Sequence, residues 1–158
     1  MKKIIIAFSI LLLIGCKSKK VIVTEPEPEK AKIEKINLSS VSENQKNKAY
    51  ELGKRVLMTC NTSRFKPFNQ SEATESVIKN TTEDRLTKTC TRFRQYYGTF
   101  IDLQLVEVYK NNFDKTTIFR YKALYSKKVA NKELRVSMNQ ENKVSSIKSL
   151  DWITPFSM

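Results

Sequence analysis

Apolar side chains in this chain follow two periods in succession, a helical one and then an alternating one. Ala49, Leu52, Val56 and Cys60 recur at three- and four-residue intervals, which places them along one face of a helix. Ser40 and Ser42 each have a capping partner three positions on, Glu43 and Gln45 respectively, so the spacing predicts an amphipathic helix over Ser42–Cys60. Gly53 in its middle costs about 1 kcal/mol relative to alanine and would admit a closely packed neighbour. Phe65, Pro67 and Phe68 then form an apolar link in which the proline argues against further helix. Asn69 with Glu72 predicts a short second helix to about Lys79, presenting Ala73, Val77 and Ile78 inward. Thr81 or Thr82 caps a third, whose Leu86, Cys90, Phe93 and Tyr97 share a face, with Gly98 at its C-cap.

Beyond Gly98 the period becomes that of strands. Phe100 to Lys110 is rich in strand formers, but its apolar set shifts from Ile101, Leu103 and Leu105 to Val106 and Val108, which predicts a bulge or a bend. Thr116–Tyr125 alternates cleanly, with Phe119, Tyr121, Ala123 and Tyr125 against Arg120 and Lys122. Leu134, Val136 and Met138 give a third strand with Arg135 and Ser137 opposite, and Val144–Trp152 gives a less regular fourth. The stretches 111–114, 127–132 and 139–143 are hairpin turns between them. Helices first and a four-stranded antiparallel meander afterwards predict an α+β domain.

That order, the glycine ahead of the first long strand and the closing strands Leu134-Arg135-Val136-Ser137-Met138 and Asn142-Lys143-Val144 resemble the nuclear-transport-factor-2-like, or cystatin-like, domains of bacteria. The resemblance covers about Ser42 to Trp152. It implies N-terminal helices packed on a curved sheet in a cone, sometimes with a pocket at its mouth. It does not imply one function, because isomerases, dehydratases, adaptors and uncharacterised lipoproteins share that architecture.

The N-terminus follows neither period. Lys2 and Lys3 precede an apolar run, Ile4 to Ile14, that is broken only by Ser9. A membrane span needs roughly 20 apolar residues, so this shorter run is read as the core of an export signal. It ends in Leu13-Ile14-Gly15-Cys16, which resembles the lipobox of bacterial lipoproteins, where cleavage precedes a cysteine that carries diacylglycerol. The resemblance implies that residues 1–15 are removed and that Cys16 holds the protein to membrane lipid, since two or more acyl chains give stable attachment. Lys17 in place of an aspartate after the cysteine implies the outer rather than the inner membrane. Residues 16–41 then read as anchor and tether. Thr24-Glu25-Pro26-Glu27-Pro28-Glu29 favours an extended spacer, and Lys17 to Ser40 would reach roughly 75 Å at about 3.1 Å per residue. Residues 42–158 form a single domain.

Charge narrows the partners. The chain of 158 residues carries 29 Lys and Arg against 16 Asp and Glu, a net +13, and loss of the leader removes two of the lysines. A basic exported protein meets anionic lipid, acidic cell-wall polymer or acidic envelope protein, and not nucleic acid. The chain has no histidine, which excludes histidine-based triads and paired-histidine zinc motifs. Its three glycines, Gly15, Gly53 and Gly98, build neither a P-loop nor a dinucleotide fingerprint. No cofactor or metal is implied.

Three constellations remain. Cys60 and Cys90 lie on the inner faces of their helices, and a helix-to-helix disulfide is the expected arrangement in an oxidising compartment, with two separate core cysteines as the alternative. Arg92, Arg94 and Tyr96 on the third helix, with Arg120 and Lys122 on the outward face of the second strand, form a candidate binding surface, because arginine and tyrosine are favoured at interaction hot spots. A small-molecule or isomerase-like site would instead use Asp102 or Glu107 as base with Tyr96, Tyr97 or Tyr121 as donors. The non-catalytic binding module is the expected function. Replacing Cys16→Ala is expected to release the protein from the membrane fraction, and retention after fractionation would refute the anchor.

Overall fold

The structure, a computed structural model, describes residues 33–158. The leader, the Leu13-Ile14-Gly15-Cys16 motif and the tether up to residue 32 lie outside the described residues. The chain runs β1 (Ile33–Ile36), a 3-10 turn (Leu38–Ser40), α1 (Glu43–Thr62), α2 (Glu75–Asn80), α3 (Glu83–Tyr97), β2 (Phe100–Asn111), β3 (Thr116–Tyr125), β4 (Lys132–Met138) and β5 (Val144–Asp151). The strands form one open antiparallel sheet in the order β1-β2-β3-β4-β5. This is an α+β domain with five strands, one more than the pattern predicts. The extra strand, Ile33–Ile36, lies in the stretch read as tether and pairs with the end of β2, Ile33 opposite Asn111 and Ile36 opposite Val108.

Local chemistry accounts for the helix ends. The Ser42 side chain accepts the Gln45 N–H and caps α1, so Ser42 and not Ser40 is the cap. Thr82 caps α3 by accepting the Arg85 N–H. The second helix begins at Glu75, later than the Asn69–Glu72 box predicts. That box is formed, with Asn69 Oδ1 accepting from Glu72 N–H and Glu72 Oε2 accepting from Asn69 N–H, but it closes a turn. The reason is a competing pairing: Thr74 N–H donates to the Val144 carbonyl and Val144 N–H to the Glu72 carbonyl, which pulls 72–74 straight against β5.

One face of the sheet packs on α1. Leu103, Phe119, Tyr121, Leu134, Val136 and Val144 meet Ala49, Leu52, Val56 and Leu57, and all are buried. Gly53 is where α1 comes closest to β4, since a Cβ there would lie 2.9 Å from Leu134 Cδ2 and 3.0 Å from Val136 Cγ2. The bend predicted in β2 is two bulges, between Phe100 and Asp102 and between Leu105 and Glu107. Ile101 and Val106 are the extra residues, and both are exposed instead of joining the core.

The third helix buries only Cys90 fully. It is held by the Cys60–Cys90 disulfide, Cα–Cα 4.7 Å, and by an aromatic set in which Tyr97 meets Phe93 edge-on at 5.4 Å and Tyr125 in a tilted contact at 5.8 Å. On the chain-entropy estimate, a bridge closing this loop contributes roughly 3.5 kcal/mol. That is large for a helix with so little apolar burial. The tight approach at Gly53 predicts that Gly53→Val destabilises the fold by about 1–3 kcal/mol through overpacking, whereas an exposed helix position would tolerate it. The check is the urea midpoint, which should fall at unchanged m-value.

Candidate functional site

The outer face of the sheet, away from α1, carries Arg120 and Lys122 on β3, Glu133, Arg135 and Ser137 on β4, and Ser146 and Lys148 on β5. Register places Arg120 directly opposite Arg135, and Arg135 directly opposite Lys148. Three cations therefore stand in one row across three strands. Like charges in directly opposed positions are destabilising unless something compensates them.

At the β3 end the compensation is complete. Arg120 donates through Nε to Glu133 Oε2 at 2.6 Å and through Nη1 to Glu107 Oε2 at 2.8 Å, and Nη2 donates to the Ile153 carbonyl. Glu133 is 0% exposed and Arg120 1%. The bulge at Val106 makes this possible: Leu105 pairs with Tyr121 on the inner face, and skipping one residue brings Glu107, not Val106, opposite Arg120. Residues 152–158 fold back over the face. The Trp152 ring lies 3.8 Å from the Arg120 guanidinium, and Phe156 lies 4.4 Å from that of Arg135 while stacking on Tyr109 at 4.0 Å. Burial alone would raise the Glu107 carboxyl, but hydrogen bonds from Lys35, Arg120 and Tyr109 outweigh it and hold the pKa down at about 2.

Compensation fades towards β5. Arg135 shares Glu133 through Nε, and Lys148 makes no ion pair among the described residues. Arg135 and Lys148 border a groove of about 360 Å³ whose lining mixes hydroxyl and amide groups, among them Asn111, Ser137, Asn139 and Ser146, with the apolar side chains of Ile118 and Met158. Its one carboxylate, Asp114, already accepts from the backbone N–H and hydroxyl of Thr116, at 3.0 and 2.7 Å. The groove thus holds one cation, Lys148, that has no ion pair among the described residues, beside neutral hydrogen-bonding groups and one carboxylate, Asp114, that is met by neutral donors, so an anion would be received on its Lys148 side. A wider hollow of about 1000 Å³ lies between the 68–79 segment and the 139–143 turn, but its charges are paired with each other, Glu75 with Lys79 and Glu141 with Lys143.

The candidate residues read from the sequence fall in several places. Arg92 lies over the Tyr96 ring on the exposed side of α3, and Arg94 borders the hollow beside the disulfide. Lys122 is exposed on the outer face, so it and the α3 residues occupy opposite sides of the sheet. Arg120 is on the expected face but is not exposed, because the C-terminal segment covers it; it is a buried structural cation. Cys60 and Cys90 are bridged. The acid–tyrosine set is dispersed. Asp102 accepts from Tyr50 and pairs with Lys54, contacts that lower its carboxyl; Glu107 is on the outer face; Tyr96 is exposed; and Tyr97 packs against Phe93 and Tyr125. Tyr121 faces α1, where burial pushes its hydroxyl up. Among the described residues no cluster of acidic, cysteine or histidine side chains is placed to hold a metal ion.

Arg135, Lys148, Glu133 and the Trp152–Phe156 segment were not singled out by the sequence pattern. The signal was there in part: Arg120 and Arg135 are both outward residues of adjacent predicted strands, and only the register was lacking. Compared with known proteins, the chain matches no family model, no curated protein and no solved structure.

The Glu107 carboxyl titrates lower in the folded chain than the ordinary 4.5, so its contribution is fully present above about pH 5 and is lost as pH falls towards 2. Glu107→Gln is expected to lower stability at pH 7 by about 2 kcal/mol and to flatten the acid limb of the stability curve, measured by urea unfolding from pH 7 to 3.

Proposed function

We propose that this protein is a lipid-anchored, exported binding module of the cell envelope, and that the outer-face groove receives an anionic group carried by an envelope component, an acidic polymer or an acidic protein segment. The observation that carries this reading is Lys148, an exposed cation with no ion pair among the described residues, standing in register with Arg135 at the margin of the groove. The anchor rests on Cys16 and the apolar leader, with Lys17 favouring the outer membrane. The order of helices followed by an antiparallel meander supports the cystatin-like resemblance, whose curved, cone-like sheet would leave its outer face available. A small-molecule or isomerase-like pocket between helices and sheet has less support, since Phe119, Tyr121 and Val136 are packed in the core. The hollow of about 170 Å³ between α1, α3 and the β4–β5 strands is lined by Val56, Leu57, Leu86, Phe93, Leu134 and Ile147, with no acid or base among its lining residues.

The test is a binding titration of the mature protein with polygalacturonate, an acidic polysaccharide, against neutral dextran. Lys148→Glu is expected to weaken polygalacturonate binding by about tenfold or more, the scale of one charge-assisted contact. Lys122→Glu, equally exposed but outside the groove, should change it far less, and dextran should not bind. Equal losses from both substitutions would mean that a general basic surface and not the groove is responsible.

A further inference from the structure

The end of the sheet that carries this groove is also the end from which the tether departs. Ile33, the first described residue, pairs with Asn111, the last residue of β2. The β2–β3 hairpin begins immediately after it, and Phe113 at its tip is 77% exposed. No packing role accounts for an aromatic ring in that position. Met158, 69% exposed, ends the C-terminal segment beside Asp114 and Thr116, so two large apolar side chains stand at this end. Lys115 follows Phe113 by two residues, and neither it nor Lys148 makes an ion pair among the described residues. Lys143 closes the neighbouring turn.

We propose that this end of the domain seats on the anionic bilayer surface that holds the anchor, with Phe113 entering the headgroup region and Lys115 facing lipid phosphates. The proposal rests on the lipid-anchor reading of Cys16. Phe113 stands between Asn112 and Asp114 with Lys115 next along the turn, and an exposed ring beside a lysine without an ion pair among the described residues is a combination found at surfaces that lie at a lipid interface. The tether adds a physical reason for this end to be the one used. Only sixteen residues, Lys17 to Lys32, separate Cys16 from Ile33, and they span at most about 55 Å when fully extended. A tether of that length keeps the hairpin at an effective concentration near the millimolar range beside the membrane, so a contact too weak to recruit a free protein is occupied once the anchor is in place. The opposite end, with the β3–β4 turn, offers lysines around the smaller Val129, 73% exposed, and lies a strand length farther from the tether.

The test uses the full mature protein, acylated at Cys16 and reconstituted into vesicles. With Cys16 acylated and Cys60 bridged to Cys90, an introduced cysteine is the one free thiol. An environment-sensitive nitrobenzoxadiazole label is placed through Asn112→Cys beside the ring, or through Val129→Cys at the far end. In vesicles of phosphatidylcholine with phosphatidylglycerol, the label at position 112 should shift to the blue and be quenched several-fold more by headgroup-attached spin label than the label at 129. Phe113→Asp should abolish the difference, and pure phosphatidylcholine should reduce it. Equal responses at 112 and 129 in a protein that floats with the vesicles overturn the seating and leave the anchor intact. A protein whose Cys16 remains a free thiol and which does not float overturns both.

Discussion

Burying Arg120 on the side of a sheet that would ordinarily face water is the constraint around which much of this domain is arranged. A guanidinium taken out of solvent must have its donors met by charge-matched acceptors, or the desolvation penalty exceeds anything packing returns. Three separate features meet them here. Glu133 on β4 supplies one carboxylate, and the bulge at Val106 turns β2 so that Glu107 supplies the other. The chain after β5 turns back, so that the Ile153 carbonyl takes the remaining donor and Trp152 covers the cation. Removing any one would leave the buried cation incompletely matched, and a buried charge that loses part of its compensation is destabilising. The bulge and the returning tail are therefore not decoration on a regular meander, since each completes the coordination of the same side chain.

The same network explains which parts of the fold were legible in the sequence and which were not. Helix α1, its cap at Ser42 and the inner-face alternation of Phe119, Tyr121 and Ala123 are local signals, and they survive folding because nothing distant competes with them. The second helix starts late because a distant pairing with Val144 competes for residues 72–74. The strand Ile33–Ile36 is four residues long with glutamate and lysine side by side at its centre, so it lacks a strand's alternation and in sequence is indistinguishable from the charged tether before it; only the partner edge of β2 makes it a strand. Arg120 is misread for a related reason. Alternation assigns a side chain to a face, but whether that face is wet depends on what covers it, and Trp152-Ile153-Thr154-Pro155-Phe156 has no period from which its path could be inferred.

The candidate site shares that limit. Arg135 and Lys148 each look like ordinary solvated positions on an exposed strand face. They become a candidate site only when register sets them opposite one another while Arg120 and Arg135 share Glu133, which leaves Lys148 without an ion pair among the described residues. Cross-strand register is a property of the assembled sheet and of its turns, so a one-residue change in either turn would move these side chains out of line.

The reach of the C-terminal segment then sets which cations of the row are covered and which are left at the surface. Trp152 and Phe156 lie over Arg120 and over the near side of Arg135, and Phe156 is fixed there by stacking on Tyr109. Lys148 is beyond their cover, and the groove opens where the aromatic cover stops, with Met158 at its margin. Two cations under an aromatic lid and compensated by Glu107 and Glu133 would have little left to offer an anion, whereas a lysine just outside the lid retains its full charge at the edge of a low-dielectric surface, where an incoming anion feels it more strongly than in bulk water. The burial that stabilises one end of the row is thus what concentrates its unspent charge at the other, and the covered Arg120 and the proposed site at Lys148 are two consequences of how far one short segment extends across the sheet.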